Sequence, residues 1–178
     1  MPRDGFLVLS ALGPDRPGLV AEVTEFLVDL GCNVDGSRMA VLGGEFGMMM
    51  LVRGPEDQLQ AIQRGVGELE RRTGLRFSFR PTVDPRERQR PPAVPYVVSA
   101  YALDHEGIVH AVSEALYRLG ANIVSLETDP YSAPHTATTL FRMEALVEVP
   151  PQVSVAELRA SLSRVAAQQN LDLEVRPA

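Results

Sequence analysis

The stretch from Val8 to Asn33 recurs 89 residues later, without a gap, as Val97 to Asn122. Ser10, Ala11, Asp15, Gly18, Val20, Val23, Glu25, Leu27, Leu30, Gly31 and Asn33 meet identical residues. Their counterparts are Ser99, Ala100, Asp104, Gly107, Val109, Val112, Glu114, Leu116, Leu119, Gly120 and Asn122. Self-similarity over such a run makes the chain one structural unit used twice. Its 178 residues therefore divide into two small domains. Halves of roughly 80 residues hold only a marginal core, so each is expected to bury surface against the other or against a second chain. A homodimer is the expected assembly.

Both copies carry the same order of patterns. In the first, Phe6–Leu12 is an apolar strand that the turn Gly13-Pro14-Asp15-Arg16-Pro17-Gly18 interrupts, with Pro17 suited to the first turn of a helix. Leu19, Val20, Val23, Phe26, Leu27 and Leu30 then follow helical spacing, and Gly31 stands where a left-handed residue ends a helix. Strands are expected around Asn33–Leu42 and Phe46–Val52, joined by the hairpin signal Gly43-Gly44-Glu45. A second helix opens at Pro55 and buries Leu59, Ile62, Val66 and Leu69, with Gly65 and Gly67 weakening it by about 1 kcal/mol each. Leu75, Phe77 and Phe79 alternate with polar residues in a closing strand. The second copy repeats this order, its last helix starting at the capping box Ser154-x-x-Glu157.

The resulting order is βαββαβ, twice. With right-handed crossovers each unit closes as an antiparallel four-stranded sheet with two helices on one face, a ferredoxin-like α+β fold. The expected boundaries are residues 1–81 and 96–178, separated by a linker over 82–95. The stretch Pro81–Pro95 carries five prolines and three arginines, the composition of a stiff, solvated, extended segment. Arg86, Arg88 and Arg90 are read as solvating it. The loop Thr128–Thr136, with Pro130, Tyr131, Pro134 and His135, is longer than its counterpart at Gly43-Gly44 and is a candidate for a function of one half only.

Composition removes several function classes. Cys32 is the only cysteine, which excludes an internal disulfide and argues for a small buried hydrophobe. His105, His110 and His135 match no metal-binding spacing, so no metal is expected. No P-loop, nucleophile elbow, zincin motif or dinucleotide fingerprint occurs, so no catalytic residue and no cofactor is assigned and an enzyme is not expected. All 17 basic residues are Arg, and the net charge of −6 lacks the basic excess of a nucleic-acid-binding domain, so no direct nucleic-acid contact is expected. No apolar run reaches membrane-span length and the N-terminus reads as a strand, so no membrane partner is expected and a cytoplasmic location is the default. Met48-Met49-Met50 is read as strand core.

The stretch ALGPDRPGLV, followed by a helix and GCNV, resembles the start of an ACT domain, the small-molecule-binding regulatory module. GCNVDGSRMAVLGGEFGMMMLV in the first half, and DHEGIV, GANI and PHTATTLFRMEALVEVP in the second, are similar to the glycine cleavage system transcriptional repressor family. An ACT segment of this kind also precedes the catalytic domain of formyltetrahydrofolate deformylases, which makes a stand-alone relative of that segment an alternative. The resemblance implies a small amino acid, glycine or serine, bound at ACT interfaces, and a transcription-factor protein as partner. The implied ligand-contacting turn is Asp15, Arg16, Pro17, Gly18 and Leu19 in the first copy. In the second it is Asp104, His105, Gly107 and Ile108, with Glu106 where the first copy has Pro17. The residues opening the second strand, Asn33 and Val34, and Asn122 and Ile123, complete the implied set.

The chemistry of these residues allows two readings. Unpaired N–H groups and partial positive charge at a helix N-terminus suit a carboxylate, and a glycine there admits close approach to the backbone. Asp15 or Asp104 suits an ammonium, Arg16 a carboxylate, and the Asn amides either end. Against this, Asp ahead of a helix is ordinarily a cap and Asn after a helix-ending Gly suits a turn. The bland alternative is accordingly a protein-interaction module without ligand, its turns serving only as helix starts. The departure at His105-Glu106 makes the first turn the better binding candidate.

Overall fold

A computed structural model describes residues 4–132 and 139–178. The chain forms two compact units, Met1–Gln89 and Arg90–Ala178. In the first, the elements are β1 (Gly5–Pro14), α1 (Leu19–Asp29), β2 (Asn33–Leu42), β3 (Glu45–Gly54), α2 (Glu56–Thr73) and β4 (Arg76–Thr82). In the second they are β5 (Val94–Leu103), α3 (Ile108–Arg118), β6 (Asn122–Ser132), β7 (Thr139–Val149), α4 (Val155–Gln169) and β8 (Asp172–Pro177). Each unit is a four-stranded antiparallel sheet, ordered β2-β3-β1-β4 and β6-β7-β5-β8, the ferredoxin-like topology.

Period-two alternation sends one set of strand side chains to the helices. Leu7, Leu9 and Ala11 of β1, Met48, Met50 and Val52 of β3, and Val23 and Leu27 of α1 share one buried cluster with Leu59, Ile62 and Leu69 of α2. Val98, Met143, Val147, Leu116, Leu158 and Leu162 belong to the corresponding cluster of the second unit. Met48 and Met50 are core as expected, while Met49 between them points to the other face and is exposed. Cys32 is buried, and that burial pushes its thiol pKa up.

The repeat extends to backbone detail. α1 ends with Cys32 N–H donating to Leu27 O and Gly31 N–H to Val28 O; α3 ends with Ala121 N–H to Leu116 O and Gly120 N–H to Tyr117 O. Both are Schellman closures, which need a left-handed residue at the glycine; φ is 70° at Gly31 and 69° at Gly120. The β2–β3 pairing shifts register between Val34 and Gly36, and the β6–β7 pairing between Ile123 and Ser125, so each second strand bulges at the same place. Gly43 and Gly44 both have positive φ, as the tight hairpin joining β2 to β3 requires.

Four local expectations are corrected. β1 continues through Gly13 to Pro14, because both residues still pair with Phe46 and Glu45 of β3. Pro17 lies outside α1, whose cap is Gly18. Gly65 is more than a weak point in α2: a Cβ there would meet the Phe26 ring of α1 at 3.0 Å, so the glycine is where the two helices come close. Thr128–Ser132, expected as loop, continue β6 and pair with β7 from Met143 to Thr139, and residues 133–138, with Pro134 and His135, lie outside the described residues. Among the described residues, no helix is long and apolar enough to cross a membrane.

Candidate functional site

From the end of β1 the chain takes four residues, Asp15 to Gly18, to enter α1. Gly18 makes the entry at φ 92°, ψ −12°, and its carbonyl accepts the first helical bond, from Glu22 N–H at 3.0 Å. No side chain caps the helix. The N–H groups of Leu19, Val20 and Ala21 precede that first bond and have no intrahelical acceptor, which leaves the positive end of the helix open. α3 is built alike: Gly107 caps it at φ 91°, Ala111 N–H donates to Gly107 O at 2.9 Å, and no side chain caps it.

The ordinary explanation for Asp15 and Asp104, as caps, therefore fails. Each Asp instead ties the turn to the neighbouring hairpin through its backbone N–H: Asp15 to Gly44 O at 3.0 Å, Asp104 to Thr139 O at 3.4 Å. Among the described residues neither carboxylate accepts a hydrogen bond or joins an ion pair. Leu19 and Ile108 are only 2% exposed, so their side chains belong to the core and they offer a ligand no more than backbone N–H. Pro17 holds the turn between Arg16 and Gly18, and its carbonyl accepts from Arg16 Nη1 at 3.2 Å.

The Arg16 guanidinium is already engaged. It grips the Glu22 carboxylate through both Nη atoms at 2.6 and 3.1 Å and reaches the Arg72 carbonyl, in the last turn of α2, at 3.0 Å. The bond from Arg16 holds the Glu22 carboxyl below its usual range against a smaller effect of burial, with Arg72 adding at 3.8 Å. Glu22 and Arg72 were not singled out from sequence; an acid in the first helical turn is the signal that could have found the former. At the equivalent place in the second unit, His105 Nε2 lies 2.9 Å from Gln169 O, at the end of α4, and Nδ1 lies 3.0 Å from Glu106 O.

A cavity of about 330 Å³ opens at the first turn. Asp15, Arg16 and Gly18 form its polar side, Val20 and Ala21 bring the helix N-terminus to it, and Val41 and Phe46 of the β2–β3 hairpin add an apolar wall. These two hairpin residues also escaped the sequence reading, because β-pairing, not sequence proximity, brings them to the turn.

The Asn residues lie elsewhere. Asn33 pairs with Arg53 on β3, whereas Pro14, beside the turn, pairs with Glu45. Eight residues of β3 separate those positions, on the order of 26 Å of strand. Within one domain the turn and the Asn thus occupy opposite ends of the sheet. Asn33 donates to Asp35, which Arg53 binds at 2.9 Å while also binding Asp4 at 2.9 Å. These contacts, Arg53 foremost, hold the Asp35 carboxyl low. Asn122 donates to Glu148, its partner across the β6–β7 ladder, at 3.4 Å. Val34 and Ile123 pack their side chains against the two cores.

Residues 5–80 match the family model of the ACT domain. The crystal structure of an unknown protein from Galdieria sulphuraria is 33% identical with a TM-score of 0.81, over 99% of this chain and 99% of its own. A second solved structure, itself assigned only provisionally as a glycine cleavage system transcriptional repressor, is 21% identical with a TM-score of 0.70 over 97% of this chain and 96% of its own. That likeness speaks to the fold. The glycine cleavage system transcriptional repressor of Escherichia coli (strain K12) is 43% identical over 58 residues, 33% of this chain, and the match spans only 30% of the repressor's length.

The first unit matches the ACT domain, and the second repeats its βαββαβ fold and its glycine-led turn into the first helix. The chain belongs to one family with the Galdieria protein. Among curated proteins it resembles the glycine cleavage system transcriptional repressors.

Proposed function

We propose that this chain is a non-enzymatic regulatory protein that binds a small amino acid at the turn Asp15–Leu19 and passes its ligand state to a partner protein, regulating transcription of amino-acid or one-carbon metabolism. One observation carries the reading: a helix N-terminus without a side-chain cap and an Asp15 carboxylate that is unengaged among the described residues border the same cavity. The free N–H groups of α1 suit the ligand's carboxylate, and Asp15 suits its ammonium. Arg16 and Glu22 stiffen the turn instead of contacting the ligand. The second turn offers the same backbone with His105 in place of Arg16. Asn33 and Asn122, at the far ends of their sheets, cannot join their own domain's turn on one amino acid. A homodimer would supply further copies of both sets. Regulation through a partner accords with a net charge of −6, and a cytoplasmic location goes with this reading.

Magnitude bounds the sensor. Glycine, with five heavy atoms at a ceiling of about 1.5 kcal/mol each, gains roughly 7.5 kcal/mol, a low-micromolar Kd at best. The apolar wall of Val41 and Phe46 favours a second version, an amino acid with an apolar side chain. Calorimetry and thermal shift against every common amino acid separate the two. Ligand at 100 times its Kd should add about 2.7 kcal/mol of stability, and Asp15→Asn should weaken that response. A folded protein that responds to no amino acid would sink the sensing role and leave an interaction module.

A further inference from the structure

Arg16 and His105 occupy equivalent positions and do the same job by different chemistry. Each crosses from its turn to the end of the second helix of its unit: Arg16 to Arg72 O at 3.0 Å, His105 to Gln169 O at 2.9 Å. Each also bonds a carbonyl of its own turn: Arg16 to Pro17 O at 3.2 Å, His105 to Glu106 O at 3.0 Å. A guanidinium is a donor at every physiological pH, so the first latch is permanent. An imidazole is not. A neutral ring has one N–H and one acceptor nitrogen, whereas both His105 nitrogens face carbonyl oxygens, which can only accept. Only the imidazolium completes both bonds.

We propose that His105 is a proton-operated latch that ties the second turn, Asp104–Gly107, to the C-terminus of α4 when the ring is charged and loosens that tie when it is neutral. The inference concerns how the turn is held and stands whether or not the turn takes a ligand. Its surroundings favour the charged form. The C-terminal end of a helix carries partial negative charge, and the last turn of α4 holds no basic side chain. In the turn, the first turn of α3, the last turn of α4 and the first residue of β8, the other titratable groups are Asp104, Glu106, His110 and Asp172. Glu114, Tyr117 and Arg118 of α3, Glu157, Arg159 and Arg164 of α4, and Glu174 and Arg176 of β8 lie further along their elements. The bonds to Glu106 O and Gln169 O, with Asp104 adding, raise the ring's pKa above its ordinary value against a smaller opposing effect of burial. A folded-state pKa raised above the unfolded one makes the latch fully stabilising below the unfolded value of about 6.5. That contribution is lost as pH rises through the folded value.

The test is a histidine-selective NMR titration of the full chain from about pH 5.5 to about pH 8.5, bracketing the ordinary imidazole value, with His105 assigned by the signal missing in His105→Gln. The thermal midpoint of the second unit is followed over the same range in wild type and His105→Arg. The expected result is a His105 midpoint above the ordinary value and, below it, two ring N–H protons protected from exchange. Wild type should match His105→Arg at the acid end and fall behind it as pH rises. A His105 titrating at or below the ordinary value overturns the latch, as does a gap between the two proteins that does not change with pH. The titration needs no variant beyond the assignment, so a His105→Arg chain that folds poorly leaves it decisive.

Discussion

Gly18 and Gly107 are the residues on which both turns depend, and their constraint is conformational. Each has φ near 90°, 92° and 91°, where an L side chain crowds the following carbonyl at a cost of about 1–2 kcal/mol. Space is not the problem: a Cβ on Gly18 would come no closer than 3.6 Å to Glu22 Oε1, and one on Gly107 would meet nothing within 4 Å. Gly18→Ala and Gly107→Ala should therefore destabilise their units by similar amounts, about 1–2 kcal/mol each, in calorimetric unfolding. Unchanged midpoints would mean the turns do not need the left-handed residue. The glycines were legible because the repeat kept them. The fate of Asp15 was not: in sequence an Asp just ahead of a helix invites capping, but the left-handed entry at Gly18 leaves the helix without a side-chain cap. The partner of Arg16 was not legible either, since Glu22 lies on the helix face that only folding turns toward it.

Elements were easier to read than their contacts. Helical and period-two spacing located the elements that bury one face, while β2, which buries none of its residues, was placed by the hairpin signal at Gly43-Gly44-Glu45. Strand ends were read short, since Gly13 and Pro14 look like punctuation yet still pair with β3. The two glycines of α2 show what spacing leaves out. Sequence gives Gly65 and Gly67 the same penalty, but one faces the Phe26 ring at 3.0 Å and the other faces open space. Gly67→Ala should stabilise by about 0.5–1 kcal/mol, the helix-propensity gain alone. Gly65→Ala should gain less, because the Phe26 ring has to move to admit the methyl. Equal gains in urea or thermal unfolding would refute close packing of α1 on α2 at that point.

At the scale of the whole molecule, duplication made the architecture readable and also hid the asymmetries. A repeat announces what was kept, which is the sheet, the Schellman closures, the bulges and the left-handed helix entries. It is silent on the replacement of a permanent cation by a titratable one, because Arg16 and His105 look like unrelated residues until both are seen reaching a helix C-terminus. Two separate cores, one per unit, put the weak point of the chain between β4 and β5. Residues 83–93 form no strand or helix and are largely exposed. Arg86 is bound by Asp84 at 2.7 Å and Arg90 by Glu148 at 3.2 Å, while Arg88 has no ion pair among the described residues. We propose, with domain limits near residues 81 and 96, that brief trypsin treatment cuts first after Arg88, at an exposed tip where proteolysis concentrates. Mass spectrometry should then find fragments 1–88 and 89–178, and circular dichroism should show that each keeps its helix and strand content. Cleavage that begins inside either unit, or fragments that unfold on release, would instead make the two halves a single cooperative structure.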